Sequence, residues 1–305
     1  MRLISRKKYR GNNNNRGQIV LILVLVLVVG LTVGLSLLSR SVTDIRMSSQ
    51  IEQSGRAFSA AEAGIENALQ GATVGTTTGN INMTGGTAQY RYQVQSFGGG
   101  SPGNVTVFPN IVDPGKSITL WLSPHNSSGA LDESGSGSYP TNYTMVVCWG
   151  KETGTTPAMV ASLYYIENPG PTQEYKVAFG AFDPDATRRS SNGFLTADST
   201  GSYCASDYRF RRILAASSDI TNNPLTYIFG IPANSRLLLL RVQPVYESTF
   251  TAFRSLSTGT TDFPSQGKII SSVGQTSTGI QRKIQVTQGF YTLPALFDYS
   301  LFTSN

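Results

Sequence analysis

The hydrophobic pattern changes character twice along this chain, first at residue 38 and again near residue 70. Ile19 to Leu38 is an apolar run of twenty residues without charge or proline, and sixteen of them are Ile, Leu or Val. As a helix the run would be about 30 Å long, which matches the hydrocarbon core of a bilayer. A lone strand in lipid would leave its backbone groups unpaired, so the run predicts a transmembrane helix despite its β-branched residues.

Beyond Leu38 the apolar residues follow a helical spacing. They lie three or four positions apart and form one stripe: Met47, Ile51, Ser54, Phe58, Ala61, Ile65, and then Ala68 or Leu69. No Gly or Pro cluster interrupts the pattern before Gly71. We therefore predict one helix over residues 18–70, about 80 Å long, of which residues 19–38 span the membrane. Phe58, Ala61 and Ile65 are expected to dock the second half of this helix on the domain that follows.

After residue 70 the pattern becomes a series of short apolar runs separated by Gly, Pro, Asn and Ser. Eleven strands are predicted: 89–95, 104–108, 117–122, 143–149, 158–166, 174–182, 209–214, 225–231, 236–242, 268–273 and 282–287. With helices scarce, this pattern predicts an antiparallel β-sandwich-like domain over residues 71–305, and the fold class of the whole chain is α+β. Residues 71–86 are expected to be a flexible connection, and residues 127–139 and 188–202 long surface loops.

The formal net charge of +6 comes from the start of the chain. Six of the 24 basic residues precede the apolar run, and 18 basic residues remain against 18 acidic ones. A nucleic-acid partner is therefore not predicted. The basic residues before the run predict that the N-terminus stays in the cytoplasm and that the β domain lies outside the membrane. No small-x-small cleavage site follows the run before Arg40, so cleavage is expected before the run.

These features together resemble the type IV pilins and pseudopilins. The leader, residues 1–17, ends in Arg16 and Gly17, and the apolar run and its amphipathic extension precede a β-rich domain. Residues 56–65, RAFSAAEAGI, are similar to the AAEAG-type segment of PilX-like minor pilins, and residues 268–302 are similar to that group's C-terminal part, ending in LFDYSLF. The resemblance implies cleavage by a prepilin peptidase between Gly17 and Gln18. It also implies partnership with other pilin subunits and the pilus assembly platform, after a stage in membrane lipid.

One position departs from the pattern of the major pilins. The fifth residue after the implied cut is Ile22, where most major pilins have a glutamate that pairs with a neighbour's amino terminus. The resemblance therefore implies a minor subunit at or near the tip of a cell-surface pilus. Gly30 and Gly34 form a small-xxx-small pair, which lets membrane helices approach closely. The alternative is a single-pass membrane-anchored adhesin or surface-binding protein that is neither cleaved nor assembled into a fibre.

No constellation of residues predicts an enzyme, a cofactor or a metal site. Residues 110–117, NIVDPGKS, approach a phosphate-binding loop, but a predicted strand follows them instead of a helix, which favours a hairpin turn. His125 is the only histidine and lies among Ser, Pro and Asn, which predicts a solvated side chain. Asp183, Asp185 and Asp198 are candidate Ca²⁺ ligands, but their spacing fits no EF-hand loop, so we expect turn-forming roles.

The two cysteines leave two alternatives open. Cys148 lies on a predicted strand and Cys204 in a predicted loop. Outside the cytoplasm they can form a disulfide worth about 2 to 4 kcal/mol, or Cys148 can be a buried free thiol. Tyr and Phe number 14 each, and most are expected in the β core rather than on a sugar-stacking surface.

Overall fold

The computed structural model describes most of the chain between residues 16 and 292. The described ranges are 16–71, 74–83, 86–99, 105–126, 128–151, 153–198, 203–204, 207–219, 222–256 and 262–292. The side chains of residues 16–18, 80–83 and 86 are not described. The leader before Arg16 and the LFDYSLF segment lie outside the described residues.

The predicted long N-terminal helix is confirmed. A single helix, α1, covers Arg16–Leu69. Gly30, Gly34, Gly55 and Gly64 all lie inside it without ending it. Within the described residues, α1 is the one helix long and apolar enough to cross a membrane, by length and composition.

The rest of the described chain is mostly strand. The strands are β1 Gly75–Met83, β2 Gly86–Phe97, β3 Val105–Val107, β4 Ile118–Trp121, β5 Thr144–Trp149, β6 Ala158–Glu167, β7 Glu174–Asp183, β8 Leu195–Thr196, β9 Phe210–Ala215, β10 Thr226–Ile228, β11 Arg236–Val245, β12 Thr251–Ser255, β13 Gly267–Thr276 and β14 Gln281–Gly289. One short helix, α2, covers Ala186–Asn192. All eleven predicted strands are present, and the α+β class is confirmed.

These strands form three sheets. Their orders are β1-β2-β13-β14, β10-β9-β5-β12-β3 and β4-β11-β6-β7-β8. In the two five-stranded sheets the pairings are antiparallel except for β9 with β10 and β7 with β8, which are parallel. The predicted antiparallel arrangement is therefore correct for most of the pairs.

One apolar core takes side chains from both five-stranded sheets. Members from one sheet include Leu120, Met159, Leu163, Phe182 and Leu240, and members from the other include Val147, Trp149, Leu214 and Phe253. Alternate residues of β5 and β6, such as Val147 and Trp149 or Met159 and Ala161, belong to this core, as the two-residue period of a strand requires. Burial of these side chains is the main source of stability for the β-rich part of the chain.

Two predicted connections contain regular structure. The predicted flexible segment 71–86 includes β1, whose sequence GTTTGNINM lacks the apolar alternation that marks a strand. The predicted loop 188–202 begins inside α2 and includes β8. The Asp185 side chain accepts hydrogen bonds from the backbone of Thr187 and Arg188, which caps α2, and Gly193 ends the helix with φ 69°. Both predictions were wrong because polar sequences formed structure through backbone pairing and capping.

The chain divides into two compact units. The first includes α1 up to Gly64 together with residues 78–91 and 273–284. The second includes residues 65–77, 92–272 and the chain from Gln285 onward. The five-stranded sheets and their core belong to the second unit.

Candidate assembly interface

The apolar half of α1 presents side chains around its whole circumference. Each large apolar side chain between Ile19 and Leu38 is 51% to 69% exposed. Thr32 donates its hydroxyl to the carbonyl oxygen of Val29 at 2.8 Å, so even this polar group is satisfied inside the helix. An exposed apolar surface of this size indicates a segment that requires lipid or other helices around it.

The predicted packing glycines lie open on this segment. A side chain added at Gly30 or Gly34 would meet no atom of this chain within 4 Å. They are four residues apart and so share one face of the helix, where their lack of side chains lets another backbone come close. Ile22, on the same apolar segment, is 57% exposed.

The second half of α1 is buried along its smallest side chains. Ala57, Ala60 and Ala61 are fully buried, and Ile65 is 7% exposed. Phe58, by contrast, is 47% exposed. Ala61 and Ile65 are therefore buried while Phe58 stays about half exposed, because the buried face is offset from the stripe of larger residues, and docking through these three residues stays a prediction.

Gly274 explains why the small face is the buried one. A Cβ added at this position of β13 would overlap the carbonyl oxygen of Ala57 and would lie 2.6 Å from the nitrogen of Ala61. The strand thus approaches the backbone of the helix itself, which only Ala side chains on the helix and Gly on the strand permit. A phenylalanine in this contact would hold the two backbones apart.

Polar contacts lie on both sides of this close approach. The guanidinium Nε of Arg282 on β14 donates to the hydroxyl of Ser54 at 2.7 Å, and Thr278 donates to Gln53 at 3.4 Å. Arg56 pairs with Glu52 one turn before it. The Arg56–Glu52 pair lies within the helix, whereas the bonds from Arg282 and Thr278 join the helix to the β13–β14 hairpin; all three are exposed and individually weak.

The end of α1 makes its own polar contact within the second unit. The Tyr92 hydroxyl of β2 donates to the Asn67 side-chain oxygen at 3.3 Å. The predicted cleavage residues Gly17 and Gln18 lie in the first turns of α1, and their side chains are not described. Cleavage between them stays a prediction.

His125 is not the solvated histidine that the sequence predicts. Its ring stacks on Phe290 with centroids 3.7 Å apart and meets the edge of Trp121 at 4.4 Å. The Nδ1 atom is buried and has no hydrogen-bond partner in the described part of the chain. Burial lowers the pKa of His125, because the charged imidazolium would lose water in this aromatic contact.

Two of the three aspartates considered as calcium ligands pair with arginines, and the third, Asp185, caps α2. Asp183 is fully buried and accepts from Arg188 at 2.7 and 3.0 Å and from Asn192 at 2.8 Å. Burial alone would raise the pKa of Asp183, but these bonds and one from the Asp185 backbone outweigh it and lower the pKa. Asp198 pairs with Arg211. The described residues contain no group of three or more His, Cys, Asp or Glu side chains placed to hold a metal ion.

Residues 110–117 form a turn but not a hairpin. The nitrogen of Lys116 donates to the carbonyl oxygen of Asp113 at 3.0 Å, and Gly115 has φ 86°, the conformation that glycine adopts without strain. The flanking strands pair elsewhere, β3 with β12 and β4 with β11. The segment therefore carries the chain from one five-stranded sheet to the other.

The two cysteines form a disulfide, the first of the two alternatives. It joins Cys148 in β5 to Cys204 across 56 positions of sequence. Cys148, Val146 and Ile213 form a small apolar cluster, with Tyr203 and Tyr208 packed on it. The bond holds Cys204 against the five-stranded sheet that contains β5.

The contact residues that the sequence pattern did not predict are Ala57, Gly274 and Arg282, the last of which donates to Ser54 of the predicted stripe. Gly274 lies just beyond the predicted strand 268–273 and inside β13 only in the structure, so no local pattern marked its close approach to the helix backbone. Comparison of the chain with protein-family models, with curated proteins and with solved structures finds no match.

Proposed function

We propose that this chain is a minor type IV pilin-like structural subunit. In this proposal residues 19–38 anchor it in the cytoplasmic membrane with the N-terminus inside, and a prepilin peptidase removes residues 1–17. The mature subunit then enters a pilus or pseudopilus by helix packing, at or near the tip. The observation that carries the proposal is the division of α1 into an open apolar half and a half docked along Ala57, Ala61 and Gly274.

The energetics of the open half favour assembly with like helices. Transfer of about twenty residues from lipid into a helical bundle is nearly neutral in hydrophobic free energy, because lipid tails are as apolar as leucine. Close packing of helices at Gly30 and Gly34 supplies specific contacts. An ATP-driven assembly platform must supply the work of extracting the subunit from the membrane. Ile22 removes the usual charge pairing between neighbours, which is consistent with few copies at an end of the fibre.

The second unit would be the part presented outside. We assign its two five-stranded sheets to a β-sandwich, and the support is the single core to which both sheets contribute. A disulfide between Cys148 and Cys204 fits an extracytoplasmic, oxidising location.

Expression of the full chain with and without a prepilin peptidase tests the proposal. Intact-mass spectrometry should show loss of residues 1–17 only when the peptidase is present, and Gly17→Leu should block the loss. Assembly is tested by the presence of the chain in sheared fibres, where Gly34→Leu should deplete it while the membrane pool remains. An unchanged N-terminus together with absence from fibres would contradict the proposal and favour a membrane-anchored adhesin.

A further inference from the structure

A polar cavity of about 380 Å³ lies on the second unit. Its wall combines the loop of residues 134–141 with residues 234–237 and Pro169. The volume falls within the range of roughly 300 to 1,000 Å³ that is typical of small-molecule sites. No residue of α1 takes part, so what this cavity binds is independent of the assembly proposed above.

Arg236 is the only charged residue among the described residues that line the cavity. Its guanidinium makes no hydrogen bond within the part of the chain that the structure describes. Asp132 lies within electrostatic reach, and its carboxylate accepts from the backbone nitrogen of Ser134 at 2.9 Å but makes no hydrogen bond to Arg236. The donors of Arg236 are therefore left for another acceptor.

Gly135 makes room for this guanidinium. A Cβ at Gly135 would lie 2.7 Å from Arg236 Nε, and the residue has φ 87°, which favours glycine. The arginine can thus lie flat against the loop at the side of the cavity. A planar guanidinium with unused donors is well suited to bind a carboxylate with two parallel hydrogen bonds.

Other polar groups of the cavity offer acceptors. The Ser123 hydroxyl donates to the carbonyl oxygen of Leu237 at 2.7 Å, so Ser138 must be the donor in its 2.8 Å bond with Ser123. The Ser138 oxygen keeps its remaining lone-pair capacity for a ligand. The Asn234 amide nitrogen donates to Asn168 at 3.2 Å, which leaves the Asn234 oxygen as an acceptor.

We propose that this cavity binds an acidic saccharide, a sugar that carries a carboxylate beside ring hydroxyls. The carboxylate takes the donors of Arg236, and the ring hydroxyls donate to Ser138 and Asn234. Pro140 and Pro169 provide an apolar surface against which the carbon-bound hydrogens of the sugar ring pack. A neutral sugar leaves the guanidinium unpaired, and a simple carboxylate leaves the acceptors unused, so the combination selects for both features in one ligand.

Binding is tested with the full chain in detergent micelles, by saturation-transfer NMR and calorimetric titration. The probe is methyl β-D-glucuronoside, compared with methyl β-D-glucoside and with N-acetylglutamate amide. We expect the glucuronoside to bind about tenfold or more tightly than either comparison ligand, since each lacks one of the two matched features.

Three variants assign the binding to the cavity. Arg236→Gln should weaken glucuronoside binding about tenfold or more, and Asn234→Asp should do the same by placing a like charge beside the ligand. Asn234 is exposed, so this second variant tests the site even if Arg236→Gln affects folding. Arg91→Gln, at an exposed arginine of β2, is the matched control and should leave binding unchanged.

Each contrary result overturns the proposal. Equal binding of glucuronoside and glucoside would remove the role of the carboxylate, and equal binding of the glutamate amide would remove the role of the ring hydroxyls. Binding that survives both Arg236→Gln and Asn234→Asp would place the ligand elsewhere. Absence of binding at millimolar glucuronoside would likewise reject the site.

Discussion

Gly274 of β13 lies against the carbonyl group of Ala57 in α1 with no room for a side chain between them. The contact sets how closely the strand approaches the helix, and it uses the least bulky residues of both elements. The contact is specific because both positions lack a bulky side chain. Enlarging either residue should therefore be more harmful than removing a polar bond at the edge of the contact.

Gly274→Ala should separate the helix from the hairpin. The added methyl group overlaps backbone atoms that cannot rotate away, and overpacking of this kind costs about 1 to 3 kcal/mol or more. We expect a lower melting temperature of the full chain in detergent and faster proteolysis within residues 50–64.

Gly289→Ala is the matched control for this change. Gly289 lies on the neighbouring strand β14, and a Cβ there would meet its nearest atom at an ordinary 3.9 Å. The control should leave both readouts close to those of the unmodified chain. Equal effects of the two substitutions would mean that the contact with Ala57 has no special role.

Removal of the disulfide should destabilise the second unit. The bond between Cys148 and Cys204 closes a loop of 56 positions, and the loss of that closure is worth about 4 kcal/mol in the chain-entropy description. The double change Cys148→Ser and Cys204→Ser should lower the free energy of unfolding in urea by this order. A reductant should lower the stability of the unmodified chain and leave that of the double variant unchanged; an equal response of both would contradict the prediction.

Arg188→Gln should destabilise the fold, because it leaves the buried Asp183 carboxylate without its ion-pair partner. Breaking a buried ion pair from one side costs about 3 to 5 kcal/mol, and the 26% exposure of the Arg188 side chain places the expected loss at the lower end. Because Arg188 helps to lower the pKa of Asp183, the pair stabilises the fold above about pH 3.9, and this stability is lost as the pH falls through the lowered pKa.

The measurement is urea unfolding of the full chain at pH 7 and pH 3. The loss caused by Arg188→Gln should be large at pH 7 and smaller at pH 3. Asp183→Asn in the Arg188→Gln background should recover part of it. Lys176→Gln is the matched control on the same strand β7, where the lysine pairs with Glu167 and Glu174 at the surface, and it should behave like the unmodified chain. A loss independent of pH would point to packing instead of charge.

The parts of the fold that could be predicted are those where local pattern and tertiary structure agree. The helix followed from its three-to-four spacing and the lack of breakers before Gly71, and eleven strands followed from their apolar runs. Strand β1 was missed because Gly75–Met83 is polar and forms through pairing with its neighbour. Strand β12 was missed because Thr251–Ser255 is short and gives a weak alternation signal.

The candidate sites were harder to predict, for two physical reasons. The spacing of the large apolar residues predicts docking through Phe58. How closely the helix approaches β13 is set by Gly274, which lies more than 200 positions away in the sequence. The cavity proposed to bind an acidic saccharide is lined by residues 134–141 together with Asn234 and Arg236. These segments are distant in sequence, and only the folded sheets bring them together. Neither juxtaposition has a local sequence signature.

The burial of His125 against Phe290 should make folding stability depend on pH near neutrality. Burial lowers the pKa of His125 in the folded chain, whereas the unfolded chain keeps a value near 6.5. Below about pH 6.5 the unfolded chain therefore binds a proton that the folded chain does not, and folding stability falls as the pH falls. The slope can reach about 1.4 kcal/mol per pH unit for one proton.

The measurement is the melting temperature of the full chain between pH 7.5 and pH 5.5, a window above the ordinary pKa values of the carboxylates. His125→Phe keeps an aromatic ring for the stack with Phe290 and Trp121 but cannot be protonated, so it should flatten the pH dependence. Because His125 is the only histidine, no other imidazole contributes to this window. If His125→Phe kept the full pH dependence, another group would have to change its proton binding on unfolding. The prediction for His125 would then be wrong.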